Sequence, residues 1–322
     1  MGLLIDGTWH NTWYEPDEDG KFVRPQTRFR NRVSADGSSG FKAEAGRYHL
    51  YVSLACPWAH RTLIMRKLKR LESAITVSVV NPDMLENGWS FDPADGVIAD
   101  SLHNARYMHE VYTRADAHYT GRVTVPVLWD KRSDIIVSNE SREILRMLDT
   151  EFDDIAVNPA SFYPDTLAKL IDETIDAIYE PVNNGVYRAG FAVSQEAYEQ
   201  AVTELFQALD YWDAILGRQR FLCGNVVTEA DWCLFTTLFR FDAVYFGHFK
   251  CNLRRITDYS NLWPYVRDLY QHEGIADTCN MDHCKRHYYY SHDMINPTRI
   301  VPAGPELDFM LPHGRDQKFG CG

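Results

Sequence analysis

Residues 48–71 change their period at one dipeptide, Cys56-Pro57, and that junction constrains the fold more than any other feature of the chain. Before it, Tyr48-His49-Leu50-Tyr51-Val52-Ser53-Leu54 is rich in aromatic and β-branched residues and reads as a strand. After it, Ile64, Leu68 and Leu71 recur at helical spacing. Pro57 fits the first helical position, where a missing N–H costs nothing, and Arg66, Lys67, Lys69 and Arg70 complement the dipole in the last turns. Residues 75–80 (ITVSVV) then read as a buried strand. Residues 123–129 and 135–137 read as two more, joined by a polar turn, and 140–148 as a helix capped by Ser138 or Asn139. The expected order is strand–helix–strand, an insertion, then hairpin–helix.

Beyond Asp149 the strand signals fade and helical patterns take over at about 165–180, 194–216, 228–247 and 261–272. In the second, Ala201, Leu205, Leu209 and Trp212 share one stripe; the third opens on Thr228 with Asp231 three residues later, a capping-box spacing. The expected fold class is therefore α/β plus all-α. A chain of 322 residues accommodates both parts, each with its own core. The boundaries are drawn as an irregular extension over 1–45, an α/β domain over 46–155 and an all-helical domain over 156–322 that ends in an irregular, aromatic tail. The extension is expected to pack through Trp9, Trp13 and Phe22.

A formal net charge of −12 argues against a nucleic-acid-binding face. No apolar run is long enough to span a membrane. The amino end turns acidic too soon for a secretory signal, and Asp6 stands where a myristoylation site wants Ser or Thr. Seven cysteines, an odd number with no CxxC pair, fit a reduced chain, so a cytoplasmic location is expected.

Cys56 carries the chemistry. A cysteine where a strand hands over to a helix meets backbone N–H groups and the positive end of the dipole. These favour the thiolate over a thiol whose ordinary pKa is about 8.5. The thiolate is the nucleophile, so Cys56 is the candidate catalytic residue, the bland alternative being a small buried hydrophobe. Ala59 occupies the place of a second cysteine in Cys56-Pro57-Trp58-Ala59, so a disulfide formed at Cys56 needs an external thiol to resolve it. No phosphate-binding glycine loop or GxSxG elbow is present.

The string Tyr51-Val52-Ser53-Leu54-Ala55-Cys56-Pro57-Trp58-Ala59-His60-Arg61-Thr62 resembles the active-site segment of the glutathionyl-hydroquinone reductases, the xi class of glutathione transferases. Asn87-Gly88-Trp89-Ser90-Phe91, residues 122–130 (RVTVPVLWD), Ser138-Asn139-Glu140-Ser141 and the stretch from His287-Tyr288-Tyr289 to Ile295-Asn296-Pro297-Thr298 are similar to that family too. The resemblance spans about 40–305. It implies a thioredoxin-like N-terminal domain, a helical glutathione-transferase C-terminal domain and a homodimer. It also implies a reaction in which Cys56 takes the glutathionyl group from a glutathionyl-hydroquinone and a second glutathione releases it as oxidised glutathione. Glutathione is then a co-substrate, with no tightly bound cofactor.

The same resemblance implies the remaining site residues. Val125, before a proline that is usually cis in thioredoxin-like folds, offers its backbone to glutathione, with Val123 and Thr124 beside it; an ordinary edge-strand proline is the alternative. Glu140 and Ser141, at a helix start, hold the γ-glutamyl end, unless they form a plain capping turn. Arg122 and Trp89 match further glutathione contacts; without the family they read as a surface charge and a core anchor. Tyr187 matches the donor of a proton to the departing hydroquinone carbon, and Tyr245 and Tyr288 match hydroxyls directed at the sulfur, with Tyr289 and Tyr290 rivals of Tyr288 for its place. Cys279, His283, Cys284 and His287 have zinc-ligand types but no standard spacing, so no metal is expected. An omega-like thiol transferase or dehydroascorbate reductase and a non-catalytic glutathione-binding module remain as alternative readings.

Overall fold

The computed structural model describes residues 2–320. In chain order the elements are β1 (Leu3–Ile5), β2 (Thr8–His10), β3 (Val33–Ser34), β4 (Phe41–Lys42), β5 (Tyr48–Val52), α1 (Pro57–Leu68), β6 (Ile75–Val79), α2 (Met108–Ala115), β7 (Gly121–Arg122), β8 (Val127–Asp130), β9 (Ile135–Ser138) and α3 (Ser141–Thr150). Then come α4 (Ala168–Ile178), α5 (Gly185–Gly190), α6 (Gln195–Leu216), α7 (Glu229–Arg240), α8 (Leu262–Tyr270), α9 (Met281–Ser291) and α10 (Arg315–Phe319). They form two compact units, neither continuous in sequence. The first takes residues up to Trp13, then Pro25–Ala160 and Thr278–Arg299; the second takes Tyr14–Arg24, Ser161–Asp277 and the chain from Ile300.

The first unit is built on a sheet of order β6-β5-β8-β9. β5 runs parallel to β6 and antiparallel to β8, with Leu50 opposite both Val77 and Leu128. Every residue of β5 is buried, which explains its unbroken run of strand-forming residues. Ile64 of α1 and Ile144 and Leu148 of α3 are fully buried in the same unit. The second unit is helical. The stripe Ala201, Leu205, Leu209 and Trp212 on α6 is buried as its spacing predicts, as are Trp232 and Phe235 of α7.

Several expectations are corrected. The strand read over 123–129 starts only at Val127, because Val125–Pro126 is a cis peptide and Pro126 has no N–H for a ladder. Upstream, Gly121–Arg122 pairs with β1 instead. The extension is not irregular throughout: β1 and β2 form a hairpin whose turn residues, Asp6 and Gly7, both have positive φ (47° and 73°), the geometry that Asp-Gly favours. α1 ends at Leu68, so Lys69 does not serve the helix dipole; it is buried, with its Nζ 3.5 Å from Asp149 and 2.5 Å from Asp153. Glu140, not Ser138 or Asn139, is the cap of α3. The pattern over 228–247 is α7 followed by a π-helical turn, Phe241–Tyr245, and a second π turn, Tyr179–Asn183, follows α4. Within the expected irregular tail lies α9, capped by Asn280 and grouped with the first unit rather than with the helical one.

Candidate active site

Cys56 is the cap residue of α1, in extended backbone (φ −77°, ψ 120°), with Pro57 at the first helical position. A tight bend presents it: Ala55 N donates to Ser53 Oγ (3.2 Å) and Cys56 N to Ser53 O (3.2 Å). The helical ladder begins with His60 N to Cys56 O (3.0 Å), so the first-turn amides of Trp58 and Ala59 precede it. The Cys56 sulfur is partly exposed and lies 3.6 Å from the carbonyl oxygen of Val125, the residue before the cis proline. Four of the other thiols are poor candidates. Cys223, Cys233, Cys251 and Cys284 are buried, and burial pushes the Cys223 and Cys251 thiols above their ordinary range.

One hydroxyl joins the two segments that the resemblance assigns to the glutathione peptide and its γ-glutamyl end. Tyr112 Oη donates to Thr124 O (2.9 Å) and accepts from Thr124 N (3.2 Å) and Asn139 Nδ2 (3.0 Å), linking the cis-proline loop to the start of α3. There the Glu140 carboxylate accepts from Arg142 N (3.3 Å) and Thr27 Oγ1 (3.2 Å), and Ser141 is buried at the first helical position. Val123 is buried and Val125 nearly so. Arg122 is not a bare surface charge: its guanidinium donates to the carbonyls of Thr12 and Trp13.

Trp89 is buried and stacks on His287 of α9, ring centroids 4.6 Å apart at 23°. His287 is held through Nδ1 to Pro82 O (2.9 Å). The Trp89 indole N–H is buried with no acceptor among the described residues. A polar cavity of about 720 Å³ adjoins this loop, with Asn87, Gly88 and Ser90 in its wall. On α9, Tyr288 is buried whereas Tyr289 and Tyr290 are half-buried. Tyr288 shares a helix face with Cys284, one turn earlier, whose sulfur lies 3.7 Å from Leu54 O just ahead of Cys56. Cys279, His283, Cys284 and His287 turn to different partners: His60, Asp95 O, Leu54 O and Pro82 O. Among the described residues no group of metal-ligating side chains converges.

The other two tyrosines belong to the second unit. Tyr187 lies on α5 just after one π turn, and Tyr245 closes the other. Their ring centroids are 6.0 Å apart, and Phe249 packs on both, at 5.5 Å from each. π turns recur at functional sites, because the extra residue re-aims a side chain off the regular helical face. Two sequence-distant π turns thus bring these two tyrosines together. Sequence reasoning named both tyrosines, placed His287 only among metal-ligand types and did not name Tyr112; the contacts of both with other segments leave no local signal.

Known proteins share this chain's sequence and fold. Residues 55–151 match the family model described as glutathione S-transferase, N-terminal domain, and 195–268 the one described as glutathione S-transferase, C-terminal domain. The chain is 56% identical, over 99% of its length and all of the relative's, to glutathionyl-hydroquinone reductase YqjG of Escherichia coli K12. It is 53% identical to glutathionyl-hydroquinone reductase PcpF of Sphingobium chlorophenolicum, covering 95% of this chain and 96% of that one. The glutathione-bound structure of YqjG superposes with a TM-score of 0.92 over 99% of this chain and 100% of that one, at 54% identity. The xi-class transferase of Natrialba magadii gives 0.93 at 54% identity, over 98% of this chain and 97% of that one. A cysteine-led helix start beside a cis-proline loop, in a chain so similar over its whole length to these proteins, belongs to the glutathionyl-hydroquinone reductase family, the xi class of glutathione transferases.

Proposed function

We propose that this chain reduces glutathionyl-hydroquinones to hydroquinones at the expense of glutathione, through a Cys56–glutathione mixed disulfide. The observation that carries the reading is the Cys56 sulfur, at the amino end of α1 and 3.6 Å from Val125 O, with Ala59 in place of a resolving thiol. The Cys56 thiolate attacks the sulfur of the conjugate. A sulfur–sulfur bond forms, the carbon–sulfur bond breaks, and its electron pair goes to the ring carbon, which takes a proton from the Tyr187 hydroxyl. Hydroquinone leaves. A second glutathione thiolate then attacks the mixed disulfide, releasing oxidised glutathione and regenerating the Cys56 thiolate.

The remaining assignments follow the chemistry of glutathione. The Val125 backbone, flanked by Val123 and Thr124, pairs with its peptide. Glu140 and Ser141 at the start of α3 receive the γ-glutamyl ammonium and carboxylate. Arg122 takes a carboxylate, and the Trp89 indole N–H, buried without an acceptor among the described residues, donates to the tripeptide. Tyr245 and Tyr288 stabilise the thiolate by hydrogen bonding; of the three consecutive tyrosines, Tyr288 is chosen because it is the buried one. We further propose a homodimer acting in the cytoplasm. The six described cysteines are all thiols, and no described helix is long and apolar enough to cross a membrane.

The test is purified protein with the monoglutathionyl conjugate of benzene hydroquinone and excess glutathione. Free hydroquinone and oxidised glutathione should appear one for one, and absence of hydroquinone at neutral pH would sink the reading. Tyr187→Phe should slow hydroquinone release on the order of 10²-fold. Reduction of the glutathione–mercaptoethanol mixed disulfide, which needs no proton on carbon, should be nearly unaffected. Equal slowing of both reactions argues against Tyr187 as the donor.

A further inference from the structure

Tyr14–Arg24 lies outside both family-model matches and belongs to the helical unit. It is a strap pinned at several points within that unit. Val193 N donates to Gly20 O (3.0 Å) and Ser194 Oγ to Asp19 O (2.9 Å). Gly20 has φ +80°, and a Cβ there would stand 3.0 Å from Ser194, so the approach suits glycine alone. Phe22 is buried against Tyr14 and Phe191. Two residues on, Arg24 is delivered onto the face of Tyr187, its Cζ 4.9 Å from the ring centroid. Arg24 Nε donates to Asn184 Oδ1 (3.2 Å), which fixes the guanidinium over the ring.

We propose that Arg24 is a positioning residue that makes Tyr187 a stronger acid. This rests on the reading of Tyr187 as the proton donor. When Tyr187 gives up its proton, negative charge appears on the phenol and spreads into the ring. A guanidinium already seated on the ring face is attracted more strongly to the phenolate than to the phenol, so it favours the transfer. The step balances without another reagent: the proton passes from the hydroxyl to the ring carbon, and solvent restores it before the next turnover. Other charged or titratable groups on the surrounding elements have partners of their own. Glu180 accepts from Asn184 Nδ2 (3.1 Å), Arg188 of α5 pairs with Glu204 of α6 (2.7 Å), Tyr245 lies across the ring pair, and His248 packs on Phe249 rather than on Tyr187. Arg24 is the cation that lies over the Tyr187 ring among these. It sits on a strap whose register is set by Gly20 and Phe22, which suits a charge that must be held in place.

The experiment is single-turnover release of hydroquinone from its monoglutathionyl conjugate, measured across pH in wild type, Arg24→Gln, Arg24→Lys and Tyr187→Phe. Reduction of the glutathione–mercaptoethanol mixed disulfide is followed in parallel. In wild type, release falls on the alkaline side as the donor loses its proton. Arg24→Gln should move that limb up by roughly one pH unit, a tenfold weaker acid, and lower the plateau several-fold. Disulfide reduction should stay within about twofold, and Arg24→Lys should recover most of both effects. An alkaline limb unmoved by Arg24→Gln, or equal slowing of both reactions, would overturn the inference while leaving Tyr187 in its role. A limb that survives in Tyr187→Phe would overturn the donor reading and the inference with it.

Discussion

α1 and α7 begin in opposite ways. At the start of α7 every polar group is turned inward: the Asp231 carboxylate accepts from Thr228 N (2.8 Å), Thr228 Oγ1 (3.0 Å), Leu222 N (2.8 Å) and Tyr265 Oη (2.8 Å). Thr228 and Asp231 are fully buried, and desolvation pushes the Asp231 carboxyl up to about 6 despite these bonds. At the start of α1 there is no acidic residue in the first turn, and the cap residue's side chain does not close back on the helix. Its sulfur is turned instead towards Val125 O. A helix start is a source of positive potential and of amides ahead of the ladder. In the helical unit that capacity is consumed by the protein and stabilises the fold. In the α/β unit the proposed function assigns it to a sulfur anion and the peptide that the anion meets. On the proposed function the difference separates a structural end from a reactive one, and it can be tested from both sides.

The largest effect is expected at the reactive end. Cys56→Ala should lower turnover of the glutathionyl conjugate by roughly three orders of magnitude or more, since no second thiol can take the group. Its thermal midpoint should stay within about 2 °C of wild type, because Ala caps no better and no worse than Cys. Calorimetry alongside the assay checks both; a large loss of stability would mean that this end, too, holds the fold.

The structural end should respond in the other currency. Asp231→Ala strips the acceptor from several buried donors and should cost about 3 kcal/mol or more in urea unfolding, with kcat per folded molecule unchanged. Asp231→Asn isolates the charge. The carboxyl holds its proton up to about 6 when folded, against 3.8 as a reference, so folding is favoured by this group at low pH. That advantage is lost as pH rises through about 6, where the buried charge costs on the order of 1–3 kcal/mol. Wild type should therefore lose stability relative to Asp231→Asn between about pH 4 and pH 7, by that amount. A difference that does not change with pH would mean that the hydrogen bonds fully repay the burial.

What could be read without the structure follows the range of the interactions involved. The start of α1 was legible because strand, cysteine, proline and helix are consecutive, so both periods and the cap lie within one window. The box at Thr228 and Asp231 was legible for the same reason. The hairpin β1–β2 was missed although Asp6-Gly7 announces it; strands of three residues give too little alternation to notice. α9 was missed because its run of histidines and tyrosines has modest helix propensity, and packing against the first unit holds it. The strand read through Val123 failed because nothing local distinguishes a cis from a trans Val125–Pro126 bond. Tyr112, His287 and Arg24 reach across 12 to 198 positions to Thr124, Trp89 and Tyr187, and no periodicity encodes such contacts. The burial that separates Tyr288 from Tyr289 and Tyr290 is likewise not legible locally, since adjacent helical positions differ only in the face they present.

The finest test exchanges the two kinds of helix start at one atom. Cys56→Ser keeps the shape of the side chain but replaces a large, weakly accepting sulfur with an oxygen from the group of preferred cap residues. The backbone at 56 is already in the extended conformation that a cap requires, and Pro57 already occupies the first helical position. The serine hydroxyl should turn back and accept from the Ala59 amide, as the Ser194 and Asn280 side chains accept from Ala197 N and His283 N at the starts of α6 and α9. A gain of about 0.5–1 kcal/mol is expected, while activity falls nearly as far as in Cys56→Ala. Stability bought at that position at the cost of turnover would demonstrate that the end of α1 is kept uncapped for chemistry. A serine variant no more stable than wild type would mean that its first-turn amides are already committed within the protein, and the contrast with α7 would then lie in burial alone.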